Sequence, residues 1–167
     1  MKRHNRQITK LTVIRKGSLT MKVLVAYFSA ESGKTRRVAE ELAQAKGADI
    51  FEIRPEEPYS ASDLNWKNPV ARCNREKIGK KDVPVLGRVE NWAEYDTIYL
   101  GFPIWYFAAP NVINTFCSAY DWTGKDIRIF ATSGGSGIGK TAEKLAPCIK
   151  GGNVVGAKRV TSASEVE

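Results

Sequence analysis

Three short stretches hold residues whose types and spacing could do chemistry. The first, 29–35, reads Ser-Ala-Glu-Ser-Gly-Lys-Thr, with hydroxyls at Ser29, Ser32 and Thr35, an ammonium at Lys34 and a glycine at Gly33. Hydroxyls and backbone N–H groups gathered round a glycine at a helix start suit a phosphate. The second is Trp105-Tyr106-Phe107, bracketed by Pro103 and Pro110. A short, stiff segment with consecutive aromatics can present a flat apolar wall to a planar ring. The third, Ser133 to Gly139, is Ser-Gly-Gly-Ser-Gly-Ile-Gly, a loop whose bare backbone allows a ligand to approach closely. Each stretch also has a plainer role. Ser32 or Thr35 can cap a helix, and the aromatics can fold into the core.

Other chemistries lack their residues. The one histidine is His4, so the body of the chain holds no Ser-His or Cys-His pair. Cys73, Cys117 and Cys148 are far apart and odd in number, which gives neither a disulfide framework nor a metal-ligand cluster. Ser136 fails the G-x-S-x-G pattern because Ile138 stands at the last glycine. Gly134 to Thr141 does fit G-x-x-x-x-G-K-T, which makes a triphosphate-binding fragment an alternative reading. Its place late in the chain leaves room for about one more strand, too few for that fold and its magnesium-holding Asp.

The elements that must position these stretches follow from the apolar pattern. Val23 to Phe28 is an unbroken apolar run, the signature of a strand buried on both faces. Val38, Ala39 and Leu42 then recur at helical spacing. Further strands are predicted over 48–53, 96–102, 126–132 and 153–160, and helices over 110–120 and 140–150, the last bent or ended near Pro147. A short helix is expected within 60–75, started near Ser62 or Asp63, and the beginning of another over 162–167. Apolar strands alternating with helices imply an α/β fold with a parallel sheet covered on both faces. Ligands bind such sheets at the carboxyl ends of the strands, where 29–35, 103–110 and 133–139 all fall.

Composition narrows the class. The chain has 167 residues, 43% hydrophobic and 26% charged, enough for one domain with a core. No apolar run approaches the ~20 residues of a membrane helix, and free thiols fit a reducing cytoplasm. The net charge of +8 is concentrated at one end: residues 1–20 hold six bases and no acid, leaving twenty bases against eighteen acids elsewhere. That distribution argues against nucleic acid as a partner. Residues 1–20 read as a basic extension, disordered or not native, ahead of a domain over 21–167 whose last helix is short or truncated. Arg72, Arg75, Lys77, Lys80 and Lys81 face few acids, which makes 72–81 either a solvated segment or a surface for an anionic partner.

The motifs together resemble the flavodoxin family, and within it the small bacterial flavodoxin-like proteins. Val25-Ala-Tyr-Phe-Ser29 with Ser32-Gly-Lys-Thr35 is similar to the family's phosphate loop. Tyr95 to Tyr106 resembles its third strand and flavin-facing loop, and Phe130 to Gly139 its last flavin-contacting loop. The resemblance implies a doubly wound sandwich, a five-stranded parallel sheet of order 2-1-3-4-5 with helices on both faces. It also implies flavin mononucleotide (FMN) held without a covalent bond. Ser29, Ser32, Gly33, Lys34 and Thr35 would then hold the phosphate, mostly through backbone N–H groups. Ile104, Trp105, Tyr106 and Phe107 would meet the ring, and Ser133, Gly134, Gly135 and Ser136 its polar edge. No residue is assigned a catalytic role or a metal.

The implied function is redox chemistry: electron transfer to a partner protein, or NAD(P)H-dependent reduction of a small acceptor such as a quinone, for which 72–81 would supply the second pocket. The alternative is a fold of this kind that has lost its flavin and serves as an interaction module. Three departures bear on the choice. The phosphate loop is one residue longer than the family text between Ser29 and Ser32. Loop 103–110 has no glycine, so positive φ is disfavoured there. The domain also lacks the acidic surface of electron carriers.

Overall fold

The computed structural model describes residues 20–30 and 32–166. All but one residue of the basic 1–20 stretch, together with Glu31 of the first loop, lie outside them. Strand β1 (Lys22–Tyr27) leads into helix α1 (Lys34–Lys46) and returns through β2 (Asp49–Glu52). A long excursion carries α2 (Arg72–Gly79) before β3 (Tyr95–Pro103) and α3 (Asn111–Ser118). Then come β4 (Asp126–Thr132), the short α4 (Thr141–Leu145) and β5 (Asn153–Arg159).

The five strands pair in parallel in the order β2-β1-β3-β4-β5. The sheet reverses direction of build-up at β1 and β3, so a crevice opens beyond their carboxyl ends. The apolar run of β1 explains its central place: Leu24, Val25 and Ala26 are all but fully buried because both faces are covered. On one face Val25, Tyr27, Tyr99 and Phe130 pack under Val38, Ala39 and Leu42 of α1. On the other, Leu24, Ile98, Leu100 and Ile129 pack under Ile113 and Phe116 of α3 and the fully buried Trp122. Gly101 of β3 is required by this packing, since a Cβ there would meet the Phe130 ring at 2.1 Å.

The excursion between β2 and β3 departs from expectation. Its helix lies at 72–79, not at a start near Ser62 or Asp63. Ser60 and Asp63 do form a reciprocal turn, in which the Ser60 N–H donates to Asp63 Oδ2 (2.9 Å) and the Asp63 N–H to Ser60 Oγ (3.2 Å). No apolar period follows to carry that turn on. Nor is the segment merely solvated. Glu76 is buried, receives Arg72 Nε at 2.6 Å and accepts the Tyr59 hydroxyl. Asn74 is buried too and donates to the carbonyls of Trp66 (2.9 Å) and Asn68 (2.7 Å). The last described element is one 3-10 turn, Ala163–Glu165.

Candidate functional site

Hydrogen bonds beyond the strand ends bring the three predicted loops together. The Phe28 N–H donates to Gly101 O (2.9 Å), the Ile104 N–H to Thr132 O (2.8 Å) and the Val160 N–H to Ala131 O (2.8 Å). The ladders thus extend past β1, β3 and β5, and the loops after β1, β3 and β4 leave the same edge of the sheet. Between them lies a cleft of about 500 Å³, within the range of small-molecule and cofactor sites. Ile104, Trp105, Tyr106 and Phe107 form one side, Ser133, Gly134, Gly135 and Ser136 another, and Ala30 the end nearest the first loop.

The aromatic side divides its labour. Trp105 packs edge-on against Phe28 (5.6 Å between ring centroids) and Tyr59 (5.4 Å), so it belongs partly to the core. Tyr106 and Phe107 are 41% and 69% exposed. Both have positive φ, 52° and 59°, although neither is glycine. They are the central pair of a two-residue hairpin closed by Trp105 N–H to Ala108 O (2.9 Å) and Ala108 N–H to Trp105 O (3.1 Å). The expectation that side chains would keep this loop from positive φ is therefore corrected. Its cost is met by the two backbone bonds and by two ammonium groups behind it. Lys77 Nζ donates to Ala109 O (2.8 Å) and Lys144 Nζ to Phe107 O (3.1 Å).

The 133–139 loop is held by few bonds of its own. Ser133 Oγ accepts the Gly135 N–H at 3.1 Å. Among the described residues, the N–H groups of Gly134 and Ser136 have no acceptor, which leaves donors for a polar ligand edge.

The first loop matches expectation in part. Gly33 stands at the start of α1 with φ 67°, and the first N–H groups of the helix have no acceptor one turn back within it. Gly33, not Ser32 or Thr35, is the cap residue, and it makes no side-chain cap bond. Ser29 Oγ accepts the Arg36 N–H at 3.1 Å, closing the loop on itself. Ser32 and Lys34 are exposed. Thr35 stands in the first turn of α1 with its side chain turned inward: it is 2% exposed and its Oγ1 lies 2.8 Å from Thr132 Oγ1, tying α1 to the end of β4. This bond steadies the cradle from behind, and the Thr35 backbone N–H is among the first N–H groups of the helix. A small cavity of about 180 Å³ beside Lys34 shares Ser133 with the main cleft.

The triphosphate alternative fails on geometry. Thr141 is fully buried and its hydroxyl donates to Ile138 O, so it has none for a magnesium ion. The structure also supplies what the sequence did not single out. Leu64, Trp66 and Cys73, all from the excursion, complete the cleft. Trp66, 66% exposed amid Pro58 and Pro69, was the signal: an aromatic set directly between polar Asn65 and Lys67. Cys73 is buried with Sγ 4.0 Å from the Tyr106 hydroxyl.

A parallel sheet with helices on both faces, three ligand-facing loops at its carboxyl edge and an aromatic cleft between them define a doubly wound cofactor-binding fold. The family model described as flavodoxin matches residues 22–165, and the chain belongs to the flavodoxin family. Comparison with curated proteins gave no match. Among solved structures, a protein of Bacteroides uniformis, provisionally described as a flavoprotein, is 39% identical with a TM-score of 0.80, covering 87% of this chain and 95% of that one. One from Bacteroides eggerthii, described the same way, is 38% identical with a TM-score of 0.80 and coverage of 87% and 92%. A flavoprotein of Lactobacillus acidophilus, solved in complex with FMN, is 25% identical with a TM-score of 0.69 and coverage of 87% and 96%.

Proposed function

We propose that the chain binds FMN in the cleft between 29–35, 104–107 and 133–136 and acts as a redox protein. The observation that carries this reading is the convergence on one cleft of an aromatic hairpin and a glycine loop with unpaired N–H groups, with Ala30 of the helix-start loop at its end; Ser29 and Gly33 line an adjoining cavity that shares Ala30. The donor set fits the group. Ser29, Ser32, Gly33 and Lys34 would hold the phosphate, with helix N–H groups and the α1 dipole favouring its charge. Tyr106, Phe107 and Trp66 would cover the ring, and the backbone of 134–136 would meet its polar edge. When bound, the flavin supplies the electron-accepting and electron-donating chemistry.

The chain's own residues do the rest. Trp105, wedged against Phe28 and Tyr59, fixes the base of the hairpin. Lys77 and Lys144 hold its far side. The apolar wall excludes water from one side of the cleft and disfavours added negative charge there by desolvation. Thr35 and Thr132 keep the phosphate loop in register with β4. The intact aromatic and glycine loops favour a flavin-loaded protein over an interaction module without cofactor. The finer role is a carrier for a partner protein or a reductase of a small acceptor using NAD(P)H. The chain would work in the cytoplasm, consistent with Cys73, Cys117 and Cys148 as free thiols. Among the described residues, no helix is long and apolar enough to cross a membrane.

The test is anaerobic stopped-flow mixing of the FMN-loaded protein, first with NADPH and then, after chemical reduction, with menadione. Reduction or reoxidation faster than free FMN supports the redox reading. Rates no greater than free FMN in both arms would remove the reductase role and leave the carrier for a partner protein.

A further inference from the structure

Behind the aromatic hairpin lies a second cleft, of about 580 Å³, that the flavin site does not use. Lys77, Lys80 and Lys81 line it from the end of α2, Lys144 faces them from α4, and Asp82 is the one carboxylate in its lining. Tyr106 lines both this cleft and the flavin cleft. Two of the ammonium groups are not free to swing away. Lys77 Nζ and Lys144 Nζ are committed to carbonyls two residues apart, Ala109 and Phe107. The fold therefore holds like charges close together. Burial, and then repulsion from Lys144, lower the Lys77 pKa below its ordinary value. Lys80 and Lys81 are exposed at the rim. Among the described residues, none of the four lysines makes an ion pair. Surface lysines usually spread apart or pair with acids. Four gathered in a concavity against one Asp leave an electrostatic deficit that an anion would relieve.

We propose that this lysine cleft is a binding site for the anionic end of a small molecule carrying clustered negative charges, phosphate or carboxylate. With the proposed flavin reading, on which this role rests, that molecule is the small redox partner: its charged end sits among the lysines, and the Tyr106 wall separates that end from the flavin cleft. Concavity and volume favour a small molecule over an acidic protein surface, which would dock on a flatter face.

The test is NMR titration of the ¹⁵N-labelled, FMN-loaded protein at low ionic strength, with inorganic pyrophosphate in one arm and citrate in the other. Saturable amide shifts confined to 77–82, 106–111 and 141–145 are expected in at least one arm. A response to pyrophosphate alone assigns phosphates, and to citrate alone carboxylates. The Lys80→Asn, Lys81→Gln double variant should weaken binding about tenfold or more with FMN affinity unchanged. Neither of these side chains holds the hairpin, and Asn tolerates the left-handed backbone at position 80 (φ 47°). Non-saturable shifts, shifts spread over the surface, or equal affinity in the variant would overturn the site. So would polyglutamate binding more tightly than either small anion, which would assign the face to an acidic protein. The same titration of the flavin-free protein separates the two claims. If the chain takes up no FMN but pyrophosphate still shifts 77–82, the flavin reading fails and the anion site stands; shifts at 29–35 alone belong to the phosphate loop.

Discussion

Residue-scale chemistry is most exposed at the aromatic hairpin. Tyr106 and Phe107 occupy the two positive-φ positions of a turn that usually takes Asn and Gly. Each side chain costs about 1 kcal/mol there. Phe107 recovers little of that by burial, being 69% exposed. Its retention makes sense if the ring serves the ligand rather than the fold. Phe107→Gly should therefore raise the unfolding free energy of the flavin-free protein by about 0.5–1 kcal/mol. The same change should weaken FMN binding several-fold. Urea unfolding and a fluorescence titration would check the two together; a variant that loses stability would show that Phe107 works for the fold, and one that binds FMN as well as the parent would show that its ring does not serve the ligand. The sequence made the aromatic triplet legible as a wall. It could not reveal the φ values, because the lysines that hold the hairpin, Lys77 and Lys144, come from two distant helices.

At the scale of elements, the excursion between β2 and β3 is held by polar groups in place of an apolar period. Glu76 is its keystone: Arg72 and the Tyr59 hydroxyl meet its carboxylate, and Asn111 Nδ2 donates to its backbone carbonyl at 2.8 Å. Arg72 also lies over the Tyr59 ring, 4.2 Å from its centroid. The side chains of Arg72 and Glu76 are only 16% and 11% exposed, so removing one partner strands the other's charge. Glu76→Ala should cost about 3 kcal/mol. The double variant with Arg72→Ala should lose clearly less than the two single losses added, read from urea midpoints. The position of α2 escaped the sequence because its signal, Arg72 and Glu76 one turn apart, looks the same on a solvated helix. The strands were legible, by contrast, because unbroken apolar runs such as Val23 to Phe28 have one good use in a chain of this size.

A second element-scale prediction concerns alkaline pH. The Tyr95 hydroxyl, at the start of β3, donates to Asp49 Oδ2 at the start of β2 (2.7 Å). Burial, and then this hydrogen bond, push its pKa up to about 12 from 10.0. The folded state thus holds the proton more tightly than the unfolded chain. The resulting stability is fully present below pH ~10 and is lost as pH rises toward ~12. Tyr27, Tyr59 and Tyr106 are raised as well, chiefly by burial, so the reading is a difference. Tyr95→Phe should be less stable than the parent at pH 9, and the gap should narrow by pH 11. A constant gap would mean that the hydroxyl contributes nothing that titrates.

The whole molecule joins a conventional parallel sheet to a site assembled from four separate parts of the chain. Three of those parts were readable, because loops at the carboxyl edge carry small, hydroxyl and aromatic residues for which a buried turn has little use. The fourth, with Leu64, Trp66 and Cys73, was not, because its placement depends on α2 folding back over the edge. Thr35 shows what residue type alone does not reveal: its hydroxyl is buried against that of Thr132, so its backbone N–H is the group left to serve the phosphate loop. One claim unites these parts, that the cleft they enclose is built for FMN. The most direct measurement is the visible spectrum of the purified chain after mixing with FMN and desalting. The account predicts retained bands near ~370 and ~450 nm at about one flavin per chain. A colourless protein after desalting would contradict it.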